Sequence, residues 1–265
     1  MDKFGLKITL MSRLFFFLFP FSFFLAACSY LPEEQAIPDV ISIYEYRDYI
    51  EINPTSNRYS KTGLVFYPGG LVDPHAYIEP LSYLAIAGKG HKVVIVKMPG
   101  NLALLDANRG AWIYDDFPDV RQWVIAGHSL GGVMACSTVE KNPDYFEGII
   151  LMASYPQSST DLSGWNGSVL SLRGQLDGLV DSLTVASCET RLPVPCHINR
   201  REDFPTDTFP KTVYFTIPGG NHSQFGNYGT QQGDGVATIS RQEQYAEVSS
   251  LILKFLIINK WEYDK

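Results

Sequence analysis

His91–Lys97 is a Val/Ile-rich run without polar alternation, and a strand of that kind has to be covered on both faces. Shorter runs of the same character recur at Gly63–Tyr67, Gln122–Ala126, Gly148–Met152, Val169–Leu172 and Thr212–Ile217. Helical patterns fall between several of them: residues 77–88, part of 101–117, Leu130–Lys141, and a closing amphipathic stretch over 241–258. Strands alternating with helices of about a dozen residues build βαβ units. Right-handed crossovers then set helices on both faces of a mostly parallel sheet. The expected fold class is α/β, a three-layer sandwich around a mostly parallel central sheet. Ile41–Tyr46 and Tyr49–Asn53, split by Arg47-Asp48, predict an antiparallel pair at the sheet edge. The irregular stretches 155–168 and 186–210 are too short or too polar for a helical lid, so the lid is expected to be minimal or absent.

Residues 1–27 stand apart from this pattern. Lys3, Lys7 and Arg13 precede an apolar stretch, Leu14–Ala27, that holds seven phenylalanines. It is too short for a comfortable membrane span and is interrupted by Pro20, so it reads as a signal peptide. Leu25-Ala26-Ala27-Cys28 resembles the lipobox of bacterial lipoproteins, in which the cysteine is acylated and becomes the mature N-terminus. That resemblance implies a bacterial cell-envelope protein, anchored to the lipid bilayer through acylated Cys28 and facing outside the cytoplasm. An ordinary secretory signal, or an uncleaved anchor, with Cys28 there by chance, is the alternative. Residues 28–40, with Pro32, Pro38 and acidic side chains, read as a tether with little to pack. Residues 41–265 are then one domain, large enough for a sizeable core.

Of the 21 Lys+Arg, three lie in residues 1–27, as does one of the 28 Asp+Glu; the rest of the chain carries a formal net charge of −9. An acidic balance argues against nucleic-acid partners and favours small neutral or weakly charged ligands. Cys136 lies in an apolar helical pattern and reads as a buried thiol. Cys188 and Cys196 sit in a polar segment of a chain expected to be exported, where they could close a disulfide or stay thiols. No spacing suggests a metal site.

The chemistry concentrates in Gly127-His128-Ser129-Leu130-Gly131-Gly132, which matches G-x-S-x-G between a strand and a helix. A serine there sits on a sharp turn that projects its Oγ from the top of the sheet. Glycines on either side let backbone segments pass where a side chain would clash. A nucleophilic serine needs a base, and the base needs a partner that fixes its tautomer. Among the five histidines, His222 follows the last strand in Pro218-Gly219-Gly220-Asn221-His222, at the sheet edge where such sites gather. His128, inside the elbow, is expected to point away from the substrate side. The acid should lie between nucleophile and base in chain order. Asp177 does, in the turn after Val169–Leu172, whereas its rivals Asp161 and Asp181 fall before the strand and in the following helix. For the oxyanion, one donor is the N–H of Leu130; the other is the N–H of Gly70 or Leu71 in Pro68-Gly69-Gly70-Leu71. Tyr77, Tyr155, Phe225 and Tyr228 could line the site or simply pack.

These blocks together resemble the α/β-hydrolase superfamily, in particular a compact bacterial "α/β-hydrolase fold-5" type, over residues 63–257. The resemblance rests on Tyr67–Tyr77, Val96–Pro99, Gly127–Gly132, Gly174–Gly178, Gly220–Gly226 and Gly233-Asp234-Gly235. It implies an α/β-hydrolase fold with Ser129 as nucleophile, Asp177 as acid and His222 as base. The implied activity is cleavage of a small-molecule carboxylic ester, thioester or lactone through an acyl-enzyme, with no metal or organic cofactor. Without a lid, soluble short-chain esters are the expected substrates. Acyl transfer, or a membrane-tethered binding protein on the same fold without catalysis, are the alternatives, because a fold alone does not carry a function.

Overall fold

The computed structural model describes residues 29–56, 60–88 and 90–261, apart from the side chain of Tyr114; the signal-peptide reading and the acylation of Cys28 therefore concern residues outside the described part. Among the described residues nine strands form one sheet: β1 (Ile41–Glu45), β2 (Tyr49–Pro54), β3 (Thr62–Tyr67), β4 (Lys92–Val96), β5 (Gln122–His128), β6 (Gly148–Met152), β7 (Ser168–Gly174), β8 (Pro195–Ile198) and β9 (Thr212–Ile217). Their spatial order is β1-β2-β4-β3-β5-β6-β7-β9-β8. Only the β1–β2 and β2–β4 pairings are antiparallel. From β4 to β8 every neighbour is parallel, as the unbroken apolar runs require.

Successive residues of each strand feed opposite layers. Leu64, Phe66, Val124, Ala126, Leu170 and Leu172 pack with α1 (Ile78–Ile86) and α5 (Arg241–Ile258). Val65, Tyr67, Trp123, Ile125, Ile149 and Leu151 pack on the other face with α3 (Leu130–Lys141) and the short α2 (Ile113–Asp116). Each fully buried side chain of this size contributes about 1.5–3 kcal/mol, and both layers are continuous across the sheet.

The strand order reverses once in a way that matters. From β3 the chain crosses by α1 to β4 on one side; from β5 it crosses by α3 to β6 on the other. Connections leaving in opposite directions open a crevice at the carboxyl ends of β3 and β5, the place where ligands bind in open α/β sheets.

Three expectations change. Residues 186–210 are not an irregular stretch: they hold the end of α4 (Ser182–Ser187) and strand β8, which extends the sheet beyond β9. Cys188 and Cys196 are both free thiols, not a disulfide. Cys188 is buried at the C-cap of α4, where it accepts from the Arg191 guanidinium (3.1 Å), while Cys196 lies on β8. Residues 29–35 are not an unpacked tether but are hydrogen-bonded along two loops of the domain. Among the described residues no helix is long and apolar enough to cross a membrane.

Candidate active site

Ser129 joins β5 to α3 with φ 52° and ψ −125°, a left-handed conformation that costs a non-glycine residue about 1–3 kcal/mol. The surroundings hold it there. Its N–H donates to Met152 O (3.0 Å), and its carbonyl accepts from Ser154 Oγ (2.7 Å) and from the N–H of Gly132 (3.0 Å). The turn closes this tightly because α3 begins against the end of β3: a Cβ on Gly131 would lie 2.1 Å from Tyr67 O.

His222 lies beyond β9 on a loop turned by Gly219, whose φ is 71°. Its Nδ1 faces the Asp177 carboxylate, 3.0 Å from Oδ2 and 3.2 Å from Oδ1. Both side chains are withdrawn from water, 1% and 0% exposed. An ionised carboxylate only accepts, so Nδ1 carries the proton and Nε2 the lone pair. Nε2 is buried and has no hydrogen-bond partner; in this resting arrangement Ser129 Oγ is not bonded to it. Asp177 is itself fixed by accepting from the N–H groups of Leu179 (2.9 Å) and Val180 (2.7 Å). The rival carboxylates do other work: Asp161 accepts from Ser163 N–H, and Asp181 caps α4 by accepting from Thr184 N–H.

The glycine loop after β3 offers one free donor. The N–H of Gly69 donates to Tyr77 Oη (2.9 Å), and that of Leu71 donates to Asn101 O (2.7 Å). Leu71 is thereby committed, which corrects its candidacy as an oxyanion donor. The N–H of Gly70 has no partner among the described residues. A Cβ on Gly70 would lie 3.1 Å from Leu130 Cδ2, so this amide stands beside the residue that opens α3. The leading N–H groups of a helix lack intrahelical acceptors, so Leu130 N–H is open too.

His128 does more than fill the elbow. Its Nδ1 shares a hydrogen bond with Tyr77 Oη (2.8 Å), and its ring lies 4.6 Å from the His222 ring, centroid to centroid. Phe225 and Tyr228 close the same aromatic cluster. Burial, and secondarily the nearby His222, hold His128 well below the usual histidine range, so its ring is neutral. Tyr77, Phe225 and Tyr228 are therefore buried packing around the two histidines, not an exposed lining. Tyr77 and Asp234 went unread as positioning residues. Asp234 accepts from the N–H groups of Gly178 (3.3 Å) and His222 (3.2 Å), and from Ser223 N–H and Oγ–H (2.7 Å each). Its only signal in the sequence was the Gly233-Asp234-Gly235 block. Among the described residues no group of three or more His, Cys, Asp or Glu is placed to hold a metal ion.

A family model described as the alpha/beta hydrolase family matches residues 63–246. The chain belongs to the alpha/beta hydrolase family. One solved structure agrees at the level of fold. A protein described as a predicted CIB-like hydrolase from Thermoplasma acidophilum superposes with TM-score 0.53 at 15% identity, over 82% of this chain and 100% of that one. An alpha/beta hydrolase fold protein from Chitinophaga pinensis gives TM-score 0.49 at 11% identity, over 83% and 99% of the two chains. No curated protein matches the chain.

Proposed function

We propose that this alpha/beta hydrolase is a serine-dependent carboxylic ester hydrolase, with thioesters or lactones as further substrates. The observation that carries the reading is the buried Asp177–His222 pair, with Nε2 unpartnered and its ring 4.6 Å from that of His128, the residue before the strained Ser129. Ser129 Oγ attacks the ester carbonyl while Nε2 takes its proton. Asp177 holds the tautomer and stabilises the imidazolium. The N–H groups of Leu130 and Gly70 face the developing oxyanion. The alkoxide leaves with the proton from His222, and water activated by the same nitrogen then cleaves the acyl-Ser129 ester to release the acid. We also read Cys28 as the acylated first residue of an envelope lipoprotein.

A fluorophosphonate probe tests the mechanism. Wild type is expected to label, and Ser129→Ala and His222→Ala are expected not to, with circular dichroism showing all three folded. Undiminished labelling of folded Ser129→Ala would refute the assignment.

A further inference from the structure

The segment immediately after Cys28 is built into the catalytic edge. Tyr30 donates its N–H to Leu71 O (2.7 Å) and accepts from Asp73 N–H (2.9 Å), while Asn101 Nδ2 donates to Ser29 Oγ (3.2 Å). Those contacts clasp the loop that carries Gly70, where Leu71 holds a φ of 61°. A few residues on, Glu33 N–H donates to Asn227 O (3.0 Å) and Asn227 Nδ2 to Glu34 O (2.9 Å). Arg241 pairs with Glu33 (2.8 Å), and the Tyr30 ring lies 5.4 Å from that of Tyr228. Residues 29–35 thus form a strap from the oxyanion loop to the loop of His222.

Consecutive Cα atoms are about 3.8 Å apart. A lipid on Cys28 therefore begins one residue from a hydrogen bond to the oxyanion side of the site. The same side exposes large apolar groups: Leu31 on the strap, and Leu104 and Leu105 beyond Asn101, each 64% exposed. Water penalises such groups by about 25 cal/mol per Å² of apolar surface, a cost relieved when they enter a headgroup layer.

We infer that the strap seats the catalytic edge of the sheet against the bilayer, and that the substrates are lipid esters presented at the membrane surface. The inference rests on the proposed acylation of Cys28 and the proposed serine mechanism. It replaces the soluble short-chain ester that the sequence suggested on the expectation of a minimal or absent lid. A bilayer-seated site needs no lid to shield an acyl chain, since the membrane keeps that chain out of water until the ester bond reaches Ser129.

The test uses the full chain reconstituted in phosphatidylcholine vesicles, with two substrates: a long-chain 4-methylumbelliferyl ester embedded in the vesicles and p-nitrophenyl butyrate in solution. In one variant a flexible Gly/Ser spacer of about 20 residues, roughly 25 Å in root-mean-square length, separates Cys28 from Ser29. It keeps the anchor and the strap but uncouples one from the other. Turnover of the embedded ester is expected to fall by about tenfold or more, with butyrate turnover unchanged. The double variant Leu104→Ser/Leu105→Ser is expected to lower turnover of the embedded ester as well. Full turnover of the embedded ester by the spacer variant overturns the inference. Two failures of the underlying reading are separable from that result and overturn the inference with it: membrane retention of Cys28→Ser refutes the lipid anchor, and labelling independent of Ser129 refutes the hydrolase mechanism.

Discussion

At the scale of single residues, the site depends on backbone that only a small side chain permits. A methyl group on Gly131 would meet two carbonyl oxygens, Tyr67 O at 2.1 Å and Pro68 O at 2.4 Å, neither of which is a flexible side-chain end. Gly131→Ala is expected to cost about 1–3 kcal/mol, as overpacking does, and to displace Leu130 N–H with it. Urea unfolding followed alongside probe labelling checks both effects. In the proposed mechanism, Asp177→Asn removes the charge that stabilises the imidazolium and favours the wrong tautomer. Its kcat is expected to fall by about 10⁴-fold with KM little changed, measured on a p-nitrophenyl ester. His128 makes a prediction about pH. Its folded pKa is held well below histidine's ordinary value of about 6.5, chiefly by burial. Below about pH 6.5 the unfolded chain therefore binds a proton that the folded chain refuses, and stability falls toward acid. One such proton gives a slope of up to about 1.4 kcal/mol per pH unit. His128→Gln has no ring to titrate, so the drop in its urea midpoint from pH 7.5 to pH 5 should be smaller than that of wild type. Equal drops would show that His128 does not set the acid limb.

At the scale of elements, what positions the proposed acid and base, Asp177 and His222, is a loop that follows both. The Asp234 carboxylate bonds Gly178 on the Asp177 turn and His222 and Ser223 on the histidine loop, tying the ends of β7 and β9 together. Asp234→Ala leaves these donors without their acceptor, and His222 free to shift. Because misplacement of a catalytic group by about 1 Å costs up to 10²-fold, kcat should drop by about 10- to 100-fold while KM stays near wild type. An equal rise in KM would place Asp234 at the substrate instead. The strands and long helices were legible because each states its burial in its own apolar pattern. Loop-to-loop ties such as Asp234 were not, since a carboxylate that serves backbone N–H groups has no spacing rule to betray it. Strand β8 escaped for a related reason: Pro195–Ile198 is four residues long and opens with proline, tolerable only at an edge such as this one. Missing it made Cys188, before the strand, and Cys196, on it, look like the ends of a loop in need of closure. Alkylation in denaturant without reductant should modify both Cys188 and Cys196; protection of the pair would restore the disulfide.

At the scale of the whole molecule, order along the chain revealed which strand ends would gather, but not what binds the first and last described segments to one another. Ser129, Asp177 and His222 stand at the ends of β5, β7 and β9, as chain order implied, because a parallel sheet brings all its carboxyl ends to one edge. The ties across that edge run through a side chain with no motif at all. Asn227 is 1% exposed and donates Nδ2 to Glu34 O (2.9 Å) and to Glu79 Oε2 (2.6 Å), partners 193 and 148 positions away. Its N–H donates to Ala76 O (2.7 Å), and its Oδ1 accepts from Arg241 at the start of α5. One amide thus joins the N-terminal strap, α1 and α5. Asn227→Ala would strip a partner from the buried Glu79 carboxylate and from the Arg241 guanidinium. A buried group left unsatisfied costs about 1–3 kcal/mol, more when it is charged, so a loss of about 2–4 kcal/mol in the urea unfolding free energy is expected. Asn227→Asp should be no milder, since it sets a second carboxylate against Glu79. If both variants unfold at the wild-type midpoint, the strap is held by its other bonds, those to Leu71, Asp73 and Arg241 among them, and the Asn227 side chain is not what closes the catalytic edge.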